Sequence, residues 1–174
     1  VLRQVAALLQ RNMANLVEQM TSEIQSRIPE YRKPGVRRII ESSVEQALLR
    51  FQNLLEHRQR DDSWRAAYRS IGACERNGGR SLDSIQTAIR LGARVGWRQL
   101  LIDAEREAIP VHELIPLAES IFNHMDDLAN TSAAGYADAQ AAEMSELDRH
   151  RQRLAALLVA EPAASPETLA AAAR

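Results

Sequence analysis

The sequence predicts an all-α protein, a helical bundle whose long C-terminal helix projects from it as a coiled-coil-like connector. Apolar residues recur at steps of three and four along most of the 174 residues, which is the period of an amphipathic helix. Alternating runs of β-branched and aromatic residues, which would predict strands, are absent from the sequence. Prolines and glycines divide the periodic stretches into segments of helical length.

Three helices are predicted in the first half of the chain. The first covers residues 1–28 and ends at Pro29. The second covers 36–57, and its periodicity places Leu54 on the buried face. The third begins at the capping residues Asp61-Asp62-Ser63 and runs to about Arg76.

The fourth helix is predicted to be the central packing helix of the domain. It follows a break at Gly78-Gly79, Ser81 can cap its first amides, and it runs to about Glu107. Gly92 and Gly96 share its apolar face, although each glycine costs about 1 kcal/mol relative to alanine inside a helix. Close approach of another helix would offset this cost, either inside the bundle or across a dimer interface.

A row of arginines lies beside this glycine face. Arg90, Arg94 and Arg98 repeat every four residues next to Trp97. One interpretation is an anion-binding site in which Arg90 and Arg94 bind the ligand and Trp97 stacks on it. The other is that the arginines form ion pairs with neighbouring acids while Trp97 packs in the core. The sequence leaves both open.

The last helix is predicted to be unusually long. Proline is tolerated in a first helical turn, so Pro116 places the start near residues 112–114, and no further proline occurs before Pro162. From residue 140 the spacing alternates between four and three, as in a heptad seam. The seam residues are Gln140, Met144, Leu147, Arg151, Leu154 and Leu158.

These elements suggest three parts of the chain: a regulatory bundle over 1–135, a connector helix over 136–160, and a linker with the start of a further module over 161–174. The chain begins at Val1, and we expect it to be a piece of a longer protein. The connector is expected to pair with a second copy, so the chain is expected to form a homodimer.

Composition excludes several function classes. The 22 basic and 23 acidic residues nearly cancel, which argues against direct nucleic-acid binding. Cys74 is the single cysteine, as expected for a protein of the reducing cytoplasm. No apolar run approaches the ~20 residues of a membrane span. No motif points to a catalytic residue, a metal site or a cofactor, so an enzyme is not expected.

Several segments together resemble the N-terminal domain of actinobacterial PucR/CdaR-type transcriptional regulators, which is similar to the N-terminal domain of RsbT co-antagonists of the RsbRD type. The segments are Ile28-Pro29-Glu30-Tyr31, Gly79-Arg80-Ser81-Leu82, the pattern Ala88-x-Arg90-x-Gly92-x-Arg94-x-x-Trp97, the pattern Ser132-x-x-Gly135-Tyr136-x-x-x-Gln140, and Arg151-x-Arg153-Leu154-x-x-Leu157-Leu158. The resemblance covers about residues 20–174.

The resemblance implies a sensor or dimerisation domain in a cytoplasmic regulator. DNA would be contacted through a C-terminal helix-turn-helix module that this chain lacks, and a small molecule or a protein would act as effector. The alternative is a protein–protein interaction domain of a stress-response co-antagonist, in which the output is partner switching rather than transcription. The resemblance brings no catalytic or ligand residues with it.

Overall fold

The computed structural model describes residues 2–56 and 63–159, and throughout these ranges the regular structure is helical. The all-α prediction is therefore confirmed. The linker and start of a further module predicted over 161–174, and the capping residues Asp61 and Asp62, lie outside the described residues. The described helices are α1 (Leu2–Arg27), α2 (Val36–Leu55), α3 (Ser63–Asn77), α4 (Leu82–Arg106) and α5 (Val111–Val159), with a 3-10 helix over Pro29–Arg32.

The first helix lies against both α2 and α4 and carries much of the core. Its apolar stripe divides between two clusters, because the helix is longer than any single packing layer. The N-terminal cluster joins α1 to α2, α4 and α5 and contains Val5, Leu8, Phe51, Leu55, Leu100, Ala104, Leu114 and Leu117. The C-terminal cluster contains Leu16, Met20, Ile24, Ile28, Tyr31, Ile40, Val44 and Leu48. A smaller cluster of Trp64, Tyr68 and Leu128 holds α3 and α5 together.

The break before α4 has the predicted geometry. The Ser81 hydroxyl accepts a hydrogen bond from the backbone amide of Ser84 at 3.2 Å, which confirms Ser81 as the cap. Gly79 has a φ of +68°, in the left-handed region that glycine adopts without a steric cost. The chain can therefore end α3 and start α4 within a few residues.

Two details of the helices differ from the prediction. Leu54 is 44% exposed and Leu55 is buried in its place, because the last turn of α2 presents the next residue to the core. Helix α5 begins at Val111, so Pro116 lies more than one turn inside it. Pro116 is exposed, and solvent can satisfy the carbonyl that the missing N–H leaves free.

The chain divides into two compact units. One comprises Val1–Tyr136 and contains α1 to α4 together with the first half of α5. The other is Ala137–Arg174, of which residues 137–159 are described as the second half of α5. The helix is continuous through Gly135. No helix in the described part of the chain has the length and apolar character that a membrane crossing requires.

Candidate functional site

A buried carboxylate lies where α3 meets the 3-10 helix and the start of α4. Glu75 on α3 is only 5% exposed. Its Oε2 accepts a hydrogen bond from the Tyr31 hydroxyl at 3.0 Å and another from Nε of Arg80 at 2.9 Å. A buried charge is tolerated when it is paired and hydrogen-bonded, and Glu75 meets both conditions.

The protonation states of this cluster follow from its burial. Desolvation, reinforced by the charge of Glu75, raises the pKa of Tyr31 above its ordinary value. The hydrogen bond with Glu75 is the largest effect on Arg80 and raises its pKa, against the opposing effect of burial. Tyr31 therefore remains a neutral donor and Arg80 remains a cation, which is the arrangement that an ionised Glu75 needs.

The same cluster brings together segments that are far apart in the sequence. The Tyr136 hydroxyl of α5 donates to the backbone carbonyl of Arg80 at 3.3 Å. The Ser84 hydroxyl donates to Glu30, which precedes Tyr31 in the 3-10 helix. Three of the segments that carry the resemblance, 28–31, 79–82 and 132–140, thus contribute to one interaction network.

Two glycines allow α3 and α5 to pack backbone against backbone. A Cβ on Gly72 would lie 1.9 Å from the carbonyl oxygen of Ser132, and a Cβ on Gly135 would lie 2.0 Å from that of Arg69. Gly72 therefore faces the carbonyl of Ser132, which lies three residues before Gly135, and Gly135 faces the carbonyl of Arg69, which lies three residues before Gly72. Antiparallel helices produce this reciprocal pattern. Sequence reasoning did not assign this contact, although the small residues at both positions were its visible signal.

A second polar cluster joins α2, α3 and α5. Arg50 is paired with Asp127 and with Nδ1 of His124, and its guanidinium lies 3.6 Å from the centroid of the Trp64 ring. Burial, followed by the charge of Arg50, lowers the pKa of His124 to about 4. His124 is therefore neutral near pH 7 and can accept from Arg50. Among the described residues, no group of three or more His, Cys, Asp or Glu is placed to hold a metal ion.

Between these two clusters lies an apolar cavity of about 160 Å³ inside the Val1–Tyr136 unit. Side chains from all five helices line it. Glu75 and Arg80 are at its wall, and so are Tyr68 and His124. Representative apolar wall residues are Met20, Val44, Ile85, Ala88, Trp97 and Leu128.

Comparison with known proteins assigns the fold to a family. The family model described as the PucR-like N-terminal domain matches residues 1–159. The chain belongs to this family. The match spans all of the described helices and includes the resemblance segments of the buried network. No curated protein and no solved structure matches the chain.

Within this PucR-like N-terminal domain, the predicted ligand residues occupy different environments. Arg90 and Arg94 are exposed on α4, and Arg90 donates to the Thr87 hydroxyl at 2.8 Å and lies 3.7 Å from Asp83. Trp97 is partly buried, packs against the N-terminal core cluster and lines the cavity. The structure does not bring the three into one pocket, and their role in ligand binding stays a prediction.

The predicted glycine pair of this domain faces α1. A Cβ on Gly96 would lie 2.7 Å from Cε of Met20, and a Cβ on Gly92 would lie 3.9 Å from its Sδ. Met20 therefore occupies the space that the two missing side chains leave. The neighbour of the pair inside the bundle is thus a long side chain of α1, and a role of the pair in a dimer interface stays a prediction.

The predicted seam residues lie in the second unit. Met144 is 59% exposed and Leu147 is 52% exposed, whereas Leu154 is partly buried. Leu158 is in the helix, but its side chain lies outside the described residues. Arg151 is exposed, with Nη1 3.6 Å from Oδ1 of Asp148. The part of α5 beyond residue 136 thus presents three large apolar side chains to solvent, those of Met144, Leu147 and Val159.

Proposed function

We propose that this chain is the N-terminal regulatory domain of a PucR-type transcriptional regulator, and that it dimerises through the heptad seam of α5 and relays a signal along that helix. Membership of the PucR-like N-terminal domain family supports the regulatory role. The observation that carries the dimerisation is the exposure of Met144 and Leu147, two large apolar side chains at seam positions of α5.

The occupant of this seam is proposed to be a second copy of the same helix. A spacing that alternates between three and four lets an identical helix place its own apolar residues into the gaps between these. Burying Met144, Leu147 and Leu154 of both copies contributes roughly 6–12 kcal/mol, at about 1–2 kcal/mol per partly exposed side chain. Association itself costs roughly 4–15 kcal/mol, so we expect a dissociation constant in the micromolar range or above.

Signal transfer requires two states that an effector binds with different affinity. The seam offers two states because Gln140 and Arg151 occupy positions that an ordinary coiled coil fills with apolar residues. A polar residue at such a position lowers the stability of one register relative to a shifted one. The output would be a C-terminal helix-turn-helix module in the cytoplasm, which is the only part of the regulator proposed to contact DNA.

Sedimentation equilibrium over a range of concentrations tests the seam. The wild-type chain should show a reversible monomer–dimer equilibrium. The double variant Leu147→Asp/Leu154→Asp should be monomeric, because each dimer would have to bury four carboxylates. The matched double variant Ala142→Asp/Ala156→Asp places the same charges on the opposite face of the helix and should still dimerise.

Two results would contradict the proposal. A wild-type chain that is monomeric at all concentrations would remove dimerisation from this domain. Unchanged association of Leu147→Asp/Leu154→Asp would show that the interface lies elsewhere. Far-UV circular dichroism of each variant verifies that its helical content is retained.

A further inference from the structure

The cavity of the Val1–Tyr136 unit is larger than ordinary packing leaves open. Protein interiors contain few voids larger than a water molecule, whereas this one has a volume of about 160 Å³. Its lining includes Ile39, which is 51% exposed, so the cavity is open to solvent on that side. A volume of about 150 Å³ lined by aliphatic and aromatic side chains accommodates a benzene molecule.

The polar side chains at the wall already have partners within the protein. The Tyr68 hydroxyl donates to the backbone carbonyl of Ser43 at 2.9 Å, and the Ser43 hydroxyl donates to the carbonyl of Ile39 at 2.7 Å. Glu75 is paired with Arg80, and Nδ1 of His124 is paired with Arg50. A water molecule needs two to four polar partners to be held in a buried site, and an ion needs a countercharge. Because the polar groups at the wall are already paired within the protein, they offer neither the hydrogen bonds that a water molecule needs nor the countercharge that an ion needs. The cavity therefore favours an apolar occupant.

The wall also contains a side chain that can move to admit such an occupant. Met20 lies against Gly96 and lines the cavity. Methionine is unbranched and adapts to irregular spaces. Ile121, Met125 and Leu128 of α5 form another part of the wall. An occupant would thus contact the same helix that carries the dimer seam.

We propose that this cavity binds a small uncharged apolar molecule, of the size of a monosubstituted benzene or a short alkyl chain. Occupation of the cavity does not require a dimer, because every wall residue belongs to one chain. The proposal also names the chemical class of the effector. Only this effector role rests on the proposed regulatory function. A charged analogue of the same ring is excluded, because a carboxylate would lose its hydration without gaining a partner.

Toluene is the probe and benzoate is its charged counterpart. Saturable binding of toluene to the folded state should raise the melting temperature of the wild-type chain by about 2–4 °C, whereas benzoate at the same concentration should leave it unchanged. In the nuclear magnetic resonance spectrum, toluene protons should show intermolecular nuclear Overhauser effects to the methyl groups of Met20 and Met125. Absence of both effects would overturn the proposal.

Cavity-filling variants locate the binding. Ala88→Leu and Ala93→Leu each add a side chain at the wall and should abolish the rise in melting temperature with toluene. Ala66→Leu adds the same group at an exposed position of α3 and should keep the rise. A rise that persists in both filling variants would refute binding in this cavity. If a filling variant does not fold, the Overhauser contacts of the wild type decide the matter.

Sedimentation equilibrium with and without toluene separates this inference from the relay. Binding that leaves the dimer dissociation constant unchanged supports the cavity site but contradicts its coupling to the seam. Binding that changes the constant supports both. A dimer that forms while toluene produces neither a thermal shift nor Overhauser contacts refutes the cavity site alone.

Discussion

Replacing Gly135 by alanine tests how closely α3 and α5 approach each other. The new Cβ would lie 2.0 Å from the carbonyl oxygen of Arg69, 2.6 Å from its carbonyl carbon and 2.7 Å from its Cα. Backbone atoms of a helix cannot rotate away as a flexible side chain can. The two helices would therefore have to separate by about 1.5 Å to reach an ordinary contact distance of about 3.5 Å.

The loss of stability can be worked out from the small apolar cluster between α3 and α5, whose contacts this separation would weaken. A gap of about 1 Å already removes about half of each dispersion contact. Applied to Trp64, Tyr68 and Leu128, whose burial contributes about 1.5–3 kcal/mol each, this amounts to roughly 2–4 kcal/mol. The better helix propensity of alanine returns up to about 1 kcal/mol. We expect Gly135→Ala to lower the free energy of unfolding by about 1–4 kcal/mol.

Gly92 is the matched control because it is also a buried helical glycine. Its Cβ would meet Sδ of Met20 at 3.9 Å, an ordinary van der Waals contact. Gly92→Ala should therefore raise the free energy of unfolding by about 0.5–1 kcal/mol through helix propensity. Urea unfolding followed by far-UV circular dichroism measures both changes. The reasoning is refuted if Gly135→Ala is as stable as wild type, or if Gly92→Ala is destabilised as much as Gly135→Ala.

The remaining predictions concern the two buried polar clusters. His124 has a pKa of about 4 in the fold, below the ordinary histidine value of 6.5, so the unfolded chain binds the extra proton first as pH falls. Neutral His124 therefore contributes about 3 kcal/mol to the free energy of unfolding above pH 6.5, and this contribution is lost as the pH falls towards 4. The variant His124→Gln should lack this pH dependence when urea unfolding is measured at several pH values. Glu75→Gln should lower the free energy of unfolding by about 2–4 kcal/mol, because Arg80 would stay charged and buried without its carboxylate.

Two exposed positions provide the controls for these variants. His112→Gln changes an exposed histidine at the start of α5 and should leave the acid loss of stability intact. Glu107→Gln breaks a surface pair with Arg11 at 3.3 Å and should change the free energy of unfolding by less than about 1 kcal/mol. Equal effects of Glu75→Gln and Glu107→Gln on the free energy of unfolding would contradict the importance of burial. A pH dependence of stability that survives in His124→Gln would show that it does not come from His124.

Local patterns predicted most of the helices. Helix periodicity and the breaks at Pro29 and Gly78-Gly79 are read from residues only a few positions apart, and the observed ends lie within a few residues of the expected ones. The errors have local causes as well. Leu54 and Leu55 are adjacent apolar residues, and periodicity alone did not decide which of them the last turn of α2 buries.

The candidate site was much less accessible to sequence reasoning. The arginines of α4 stood out by their spacing, yet spacing within one helix does not show what the neighbouring helices offer them. Glu75 is 44 residues from Tyr31, and His124 is 74 residues from Arg50. No period links such pairs, so neither cluster could be assembled from the sequence.

The sequence by itself determined the helical class, the helix order, the cap at Ser81 and the heptad spacing of α5, because each depends on interactions within one or two turns. The tertiary structure alone decided which glycines serve close packing between backbones, which acid is buried, and where a cavity remains. Those features depend on which helix faces meet, and that is settled by the simultaneous packing of five helices rather than by any one of them.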